Sequence, residues 1–313
     1  MKKLLLFFIL LLFGVSCWNP TSQKADKPRY VVLSTIAMID DLVREIGKKQ
    51  IVAKLLIEGE IDPHSYEMVK GDNEKLGSSD LIFYNGLGLE HGATLSYYLQ
   101  NCPRAYSLGD YVAKNHPEKL LQRDQVFDPH IWMDISIWEK TIPFIVEKLS
   151  ELAPEHKELF QKRGEILREK FLQEHQKIRD LLLQIPSDKR FLVTSHDAFH
   201  YFAKSYLSEE TENFIRVAAP EGLAPDGAIS PMDIKNIIDF LKQKKVSVVF
   251  SESNVSKNAL YKIVSDSKAL GFSVKIAGRP LYGDAMPPKK SGEIGYIAMH
   301  RHNAETIYEH LCP

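Results

Sequence analysis

Residues 154–185, PEHKELFQKRGEILREKFLQEHQKIRDLLLQI, decide how this chain is organised. The stretch is rich in charge, has no internal proline and repeats its apolar residues with a helical period. Phe160, Leu167, Phe171, Ile178, Leu182 and Ile185 follow at spacings of 7, 4, 7, 4 and 3, which puts them on one helical face. Pro154 suits a first helical turn and Pro186 ends the run. Thirty-odd residues at about 1.5 Å of rise make a rod of roughly 48 Å, the length of a domain pair. Gly164 costs that helix only about 1 kcal/mol. The stripe covers too few heptads for a coiled coil, so a rigid connector between two lobes fits it better.

On both sides of the rod, strands alternate with helices. Tyr30–Thr35 reads as a buried strand, Ile39–Lys48 as a helix, Ile51–Leu56 and Asp80–Asn85 as further strands, with a turn at Gly86-Leu87-Gly88. The pattern returns with strands at Arg190–Thr194, Val246–Phe250 and Phe272–Ala277 and helices at Ser230–Lys244 and Asn258–Leu270. Such alternation argues for parallel β/α units, whose ligand sites lie in loops at the carboxyl ends of the strands.

Those loops carry histidines. His64, His130 and His196 are spaced 66 residues apart, and the first two sit in the same tripeptide, Asp62-Pro63-His64 and Asp128-Pro129-His130. Proline fixes φ and removes a donor, which suits a stiff loop aiming an imidazole. Histidine is the commonest metal ligand, so the two loops read as halves of a metal site. Phe191–His196 is a strand ending on the third histidine. Three imidazoles call for a carboxylate to offset a cation's charge, and Asp284 in Leu281-Tyr282-Gly283-Asp284 is the candidate, with Glu252 as runner-up, read first as a group that supports a ligand or the fold. The competing readings are a loop cap for His64 and His130, a core histidine for His196 and a turn aspartate for Asp284. His200 competes as the second half of an H-x-x-x-H pair. The helix-borne H-E-x-x-H signature is absent, because Asp197 and Ala198 follow His196. Asp134 and Asp197 are candidates to fix the tautomers of ligand rings. His91, His116, His156, His175, His300, His302 and His310 read as solvated, and Trp132 and Trp138 as core.

DPHSYE (62–67), NGLGLE (85–90), DPHIWMD (128–134), TSHDAFHYFAK (194–204), SPMDIKNIIDFLK (230–242), VVFSESNVS (248–256) and LYGDAM (281–286) occur together and in order. In these segments the chain resembles the TroA-like metal-binding solute-binding proteins of ABC importers, from about residue 30 to the C-terminus. The resemblance implies an α/β fold of two similar lobes, each with a central, mostly parallel sheet flanked by helices, bridged by one long rigid helix. It implies one transition metal ion (Zn, Mn or Fe) as transported ligand, held between the lobes by His64, His130, His196 and Asp284. It also implies an ABC permease and its ATPase as partners. The segment Tyr111–Phe127 holds only His116, unlike the histidine-rich loop of some zinc-dedicated relatives. His196 stands where manganese-dedicated relatives often have glutamate. A site permissive for Zn(II), Mn(II) or Fe follows.

The N-terminus reads as an export signal. Lys2 and Lys3 precede an apolar run, Leu4–Phe13, too short for a bilayer, which takes roughly 20 residues. Gly14-Val15-Ser16-Cys17 resembles a bacterial lipobox, with glycine where leucine is usual. A lipid on Cys17, ordinary cleavage and an uncleaved anchor are the alternatives. The organisation expected is a signal at 1–17, a tether at 18–29, lobes at 30–153 and 187–313, and the connecting helix at 154–186. The product is periplasmic or otherwise extracytoplasmic and monomeric. With 40 basic and 41 acidic residues no net field draws it to nucleic acid. Cys102 and Cys312 are expected to stay unpaired.

A receptor, not an enzyme, is the leading function. Four protein ligands close a tetrahedral sphere and leave no position for a substrate. The alternatives are an exported metallohydrolase, which needs an open coordination position and a base such as Glu67 or Glu252, and a metal-binding surface adhesin.

Overall fold

The computed structural model describes residues 30–312 apart from 124, 210–215, 225–228, 289–291 and 293; the signal-like stretch, Cys17 and the tether lie outside the described residues. The first lobe runs β1 (Tyr30–Ser34), α1 (Ala37–Gly47), β2 (Ile51–Leu55), α2 (Asp72–Gly77), β3 (Leu81–Tyr84), α3 (Ala93–Asn101), β4 (Ala105–Ser107) and α4 (Leu108–Asn115). A short hairpin of β5 (Gln122–Arg123) and β6 (Val126–Phe127), then α5 (Ile135–Trp138) and α6 (Ile142–Leu152), leads into α7 (Lys157–Leu182). The second lobe follows as β7 (Leu192–Val193), α8 (His200–Phe202), β8 (Val217–Ala218), α9 (Pro231–Lys244), β9 (Val248–Val249), α10 (Asn258–Ala269), β10 (Lys275–Ile276) and α11 (Tyr296–Leu311). Among the described residues no helix is long and apolar enough to cross a membrane.

The first sheet is wholly parallel, in the order β2-β1-β3-β4. In the second lobe β7 pairs with β8 and β9 with β10, also in parallel. The Phe250 N–H donates to the Val193 carbonyl at 2.7 Å and joins the two pairs into β8-β7-β9-β10. The second sheet thus repeats the strand order of the first. Its assigned strands are shorter than the apolar runs suggest, because only the middle of each run forms a full ladder. Single bonds carry the pairing further, from Thr194 N–H to the Ala218 carbonyl and from Ala277 N–H to the Val249 carbonyl. α9 begins as its Ser-Pro-x-Asp sequence demands: the Ser230 hydroxyl accepts from Asp233 N–H and the Asp233 carboxylate accepts from Ser230 N–H.

The connector departs from an ideal rod at its start. Pro154–His156 forms a single 3-10 turn, and the α-helix proper spans Lys157–Leu182, about 39 Å. All six residues of the apolar stripe are buried. They belong to one hydrophobic core that runs from the first sheet through α7 to α11 and reaches Phe199, Phe202, Tyr206 and Phe250 of the second lobe. A smaller cluster lies between β9, α9 and α10. Polar ties fix the helix along its length. Arg163 donates to the carbonyls of Ile46 and Gly47 and to Gln50 Oε1, closing the C-terminal end of α1 with positive charge. Arg301 of α11 forms a two-pronged pair with Glu174. Cys102 and Cys312 are unpaired.

Two histidines expected in solvent are instead buried, because α11 turns one face into the core. His300 donates from Nε2 to the Trp132 carbonyl at 2.9 Å, and His302 from Nε2 to the Pro280 carbonyl at 2.8 Å. His175 is half-buried on α7, 3.1 Å from the Tyr206 hydroxyl.

Gly164 has a reason that the sequence did not show. A Cβ there would stand 2.6 Å from Val146 Cγ2, so the glycine lets α6 cross α7 closely. Helix propensity favours Gly164→Ala by about 1 kcal/mol, but overpacking against a stiff valine costs about 1–3 kcal/mol. The substitution should therefore lower stability in urea denaturation; a gain of about 1 kcal/mol would show that the crossing relaxes freely.

Burial pushes the His300 pKa down to about 4, against the opposing hydrogen bond to Trp132. Its folded value lies below its unfolded value of about 6.5, so its contribution is intact above that pH and fades as pH falls towards 4. The loss should reach about 2–3 kcal/mol at pH 4.5. His300→Gln, which cannot take up the proton, should lose less stability than wild type between pH 7 and pH 4.5 in the same denaturation assay.

Candidate metal centre

The repeated Asp-Pro-His tripeptides fold into repeated turns. In the loop after β2, the Asp62 carboxylate accepts the His64 N–H at 2.9 Å and the Ser65 hydroxyl at 2.7 Å. After β6, Asp128 accepts the His130 N–H at 3.0 Å. Each aspartate closes its own turn, and proline between holds φ while the imidazole projects. The second copy does more: Asp128 Oδ1 also lies 2.7 Å from His130 Nδ1.

His196 follows β7, where Glu252 organises it. One Glu252 oxygen accepts the N–H groups of Ser195 and His196 at 3.0 and 2.9 Å, and the other lies 2.7 Å from His196 Nδ1. Asp284 comes from the loop after β10. Asn303 of α11 brackets this loop through both backbone groups of Tyr282, and the Trp132 indole donates to the Gly283 carbonyl at 2.8 Å. Gly283 leaves room for the Glu252 carboxylate where it lies, since a Cβ there would meet Glu252 Oε2 at 2.5 Å.

These loops bring His64, His130, His196 and Asp284 together, all buried, with one ligand atom from each inside a 4.8 Å span. The Nε2 atoms of His64 and His130 are 3.1 Å apart. Asp284 oxygens lie 3.0 Å from His196 Nε2, 3.4 Å from His130 Nε2 and 3.5 Å from His64 Nε2. A tetrahedron with metal bonds of about 2.0–2.1 Å has edges of roughly 3.4 Å, so the donor set already has the size of a coordination shell. Both Asp284 oxygens and the Nε2 of His196 are buried without a hydrogen-bond partner, although ionic partners are close. Buried polar atoms left in that state ask for a cation at their centre.

The charges are strongly coupled. Burial works against a proton on His196, but the Glu252 and Asp284 carboxylates outweigh it and hold the imidazole well above its ordinary value. Burial likewise disfavours an ionised Asp284, yet His196 and His130 hold it well below the usual carboxylate range.

The neighbours differ from the sequence reading. Asp134 caps α5, accepting the Ser136 N–H at 2.7 Å, because the turn Ile131–Met133 swings it away from His130. Asp197 lies 3.3 Å from His200, and neither faces a ligand ring. Asp128 holds that position at His130, and Glu252, expected as a supporting carboxylate, holds it at His196. His200 lies outside the cluster. The sequence reading missed the roles of three residues near the site. Trp132 is core, as expected, but also joins the His130 and Asp284 loops. Glu90 is buried, accepts from the Thr35 hydroxyl and the Asn85 and Gly86 N–H groups, and fixes Asn85, whose side chain donates to the Pro129 carbonyl. Glu221 is pushed up to about 7 by burial, with His196 opposing and Glu252 and Asp62 adding to it.

Two parallel-sheet lobes, a long connecting helix and a closed His3Asp cluster define a metal-binding receptor class. The chain matches the family "ZnuA: Zinc-uptake complex component A periplasmic" over residues 32–310 and belongs to it. It is 37% identical to metal-binding protein YtgA of Chlamydia trachomatis, over 99% of this chain and 95% of that one. It is 31% identical to manganese-binding lipoprotein MntA of Bacillus subtilis, over 94% of each chain. The crystal structure of Fe(III)-bound YtgA superposes with a TM-score of 0.84 at 37% identity, over 90% of this chain and 98% of that one. Periplasmic zinc-binding protein TroA of Treponema pallidum gives 0.83 at 29% identity, over 91% of this chain and 100% of that one. The family's members are metal-binding transport receptors, not enzymes.

Glu252→Gln keeps an acceptor for the Ser195 and His196 N–H groups but removes the charge facing Nδ1. Metal affinity should fall about 10- to 100-fold in competitive titration, as for other partners of ligating histidines. An unchanged affinity would leave Glu252 with a backbone role alone.

Proposed function

We propose that this protein is the extracytoplasmic receptor of an ABC importer. It takes up one transition metal ion, Zn(II), Mn(II) or Fe, through His64, His130, His196 and Asp284 and delivers it to a membrane permease driven by a cytoplasmic ATPase. The observation that carries this reading is the convergence of four buried donors, from four separate loops of both lobes, on one point. Three nitrogens and a carboxylate suit all three metals, and intrinsic affinity favours zinc over iron(II) and manganese(II). The relatives support a broad choice: the matched structures are described as Fe(III)-bound and zinc-binding, and a relative as manganese-binding. A shell closed by protein ligands suits capture and release better than the open position that hydrolysis needs.

In this reading the lobes span residues 30–153 and 187–313, with 154–186 as the connector, and the protein acts as a monomer. Export would be followed by lipid attachment at Cys17, a reading that the lipoprotein relatives favour. Acid should weaken binding, because protons compete for the imidazoles.

Elemental analysis of protein from its native host should find one metal per chain. Asp284→Ala should weaken affinity by more than about 100-fold, beyond the loss from a partner of a ligating residue. Absence of bound metal, or wild-type affinity in Asp284→Ala, would remove the basis of the proposal.

A further inference from the structure

The four ligands are buried, so a cation must reach them past one of their loops. We propose that metal enters and leaves on the His64 side and that His91 is the side chain that meets it there. This rests on the receptor reading above and adds a handling residue outside the four ligands.

The ligands are unequally held. The His130 loop is gripped from the second lobe: the Tyr201 hydroxyl donates to the Asp128 carbonyl at 3.0 Å, and the Tyr206 hydroxyl accepts the Ile135 N–H at 3.2 Å. Tyr296 and His300 both donate to the Trp132 carbonyl, and Trp132 in turn holds the Asp284 loop. His196 is locked by Glu252. His130, His196 and Asp284 are therefore one pre-assembled half of the site.

His64 is tethered differently. Its own ring apart, the hydrogen bonds of residues 58–71 among the described residues stay within the loop or reach α2. Asp62 spends its carboxylate on backbone N–H and Ser65. Among the described residues no carboxylate faces the Nδ1 of His64, whereas Asp128 and Glu252 face those of His130 and His196.

His91 stands beside this looser ligand. It is exposed, and its ring centroid lies 5.8 Å from that of His64. The three ligand imidazoles, which face one common point, have centroids 5.1, 5.5 and 6.3 Å apart. The His91–His64 pair falls within that range, so an exposed imidazole stands one ring contact away from the first ligand. The two segments also touch through their backbones: a Cβ on Gly92 would be 2.3 Å from the Tyr66 carbonyl oxygen.

The test uses the full mature chain, Zn(II) and a fluorescent zinc chelator in stopped-flow mixing. His91→Ala should slow both uptake and release several-fold while equilibrium affinity and melting temperature hold. His91→Asp, which restores a metal donor, should recover the rates, and His91→Gln should not. At equilibrium, His64→Ala should retain weakened binding, with a smaller loss than His130→Ala or His196→Ala. Wild-type rates in His91→Ala, failure of His91→Asp to restore them, or a loss in His64→Ala equal to that in His130→Ala would overturn the proposal. Wild-type protein that takes up no zinc, manganese or iron would overturn the receptor reading itself.

Discussion

A carboxylate buried among three imidazoles is the constraint on which the rest of this structure depends. Asp284 is buried away from bulk solvent, and its oxygens lie 3.0–3.5 Å from ring nitrogens. Such a group is tolerable only where positive charge is guaranteed, from a proton on His196 or from a cation. The surrounding architecture serves that arrangement. Two parallel sheets of the same strand order direct their carboxyl-end loops at each other, and α7 holds the sheets at a fixed separation.

The loops are aimed by carboxylates that do not themselves enter the cluster. Asp62 and Asp128 shape the two Asp-Pro-His turns, Glu252 holds the His196 strand end, and Glu90 reaches the His130 loop through Asn85. Across the lobes, Trp132 carries the coupling. Its indole fixes the Gly283 carbonyl, and its own carbonyl is held by Tyr296 and His300 of α11. A metal at the centre would meet donors whose orientation is largely settled before it arrives.

Much of this was legible from the sequence, because the signals were local. The stripe from Phe160 to Ile185 gave the connector, the apolar runs gave the strands, and the tripeptide repeat with Phe191–His196 gave three of the four converging side chains. What escaped depended on contacts between distant segments. Asp128 was hidden as a ring partner because only the folded loops show which carboxylate faces Nδ1, and proximity in sequence pointed instead to Asp134 and Asp197; Glu252 was legible as a supporting carboxylate, but not the ring it supports. The misreading of His300 has a different cause. Its neighbours Arg301 and Glu305 are charged, yet Tyr296, His300, Ala304, Ile307 and Leu311 recur at spacings of 4, 4, 3 and 4 and mark a buried face. Gly164 and Gly283 could not be read at all without the atoms that press against them.

X-ray absorption at the zinc edge of the loaded protein tests the shared centre most directly. The expected spectrum has a nitrogen and oxygen shell at about 2.0–2.1 Å with the outer-shell scattering of three imidazoles. A sulfur shell near 2.3 Å, or scattering from a single imidazole, would contradict a cation held by both lobes at once.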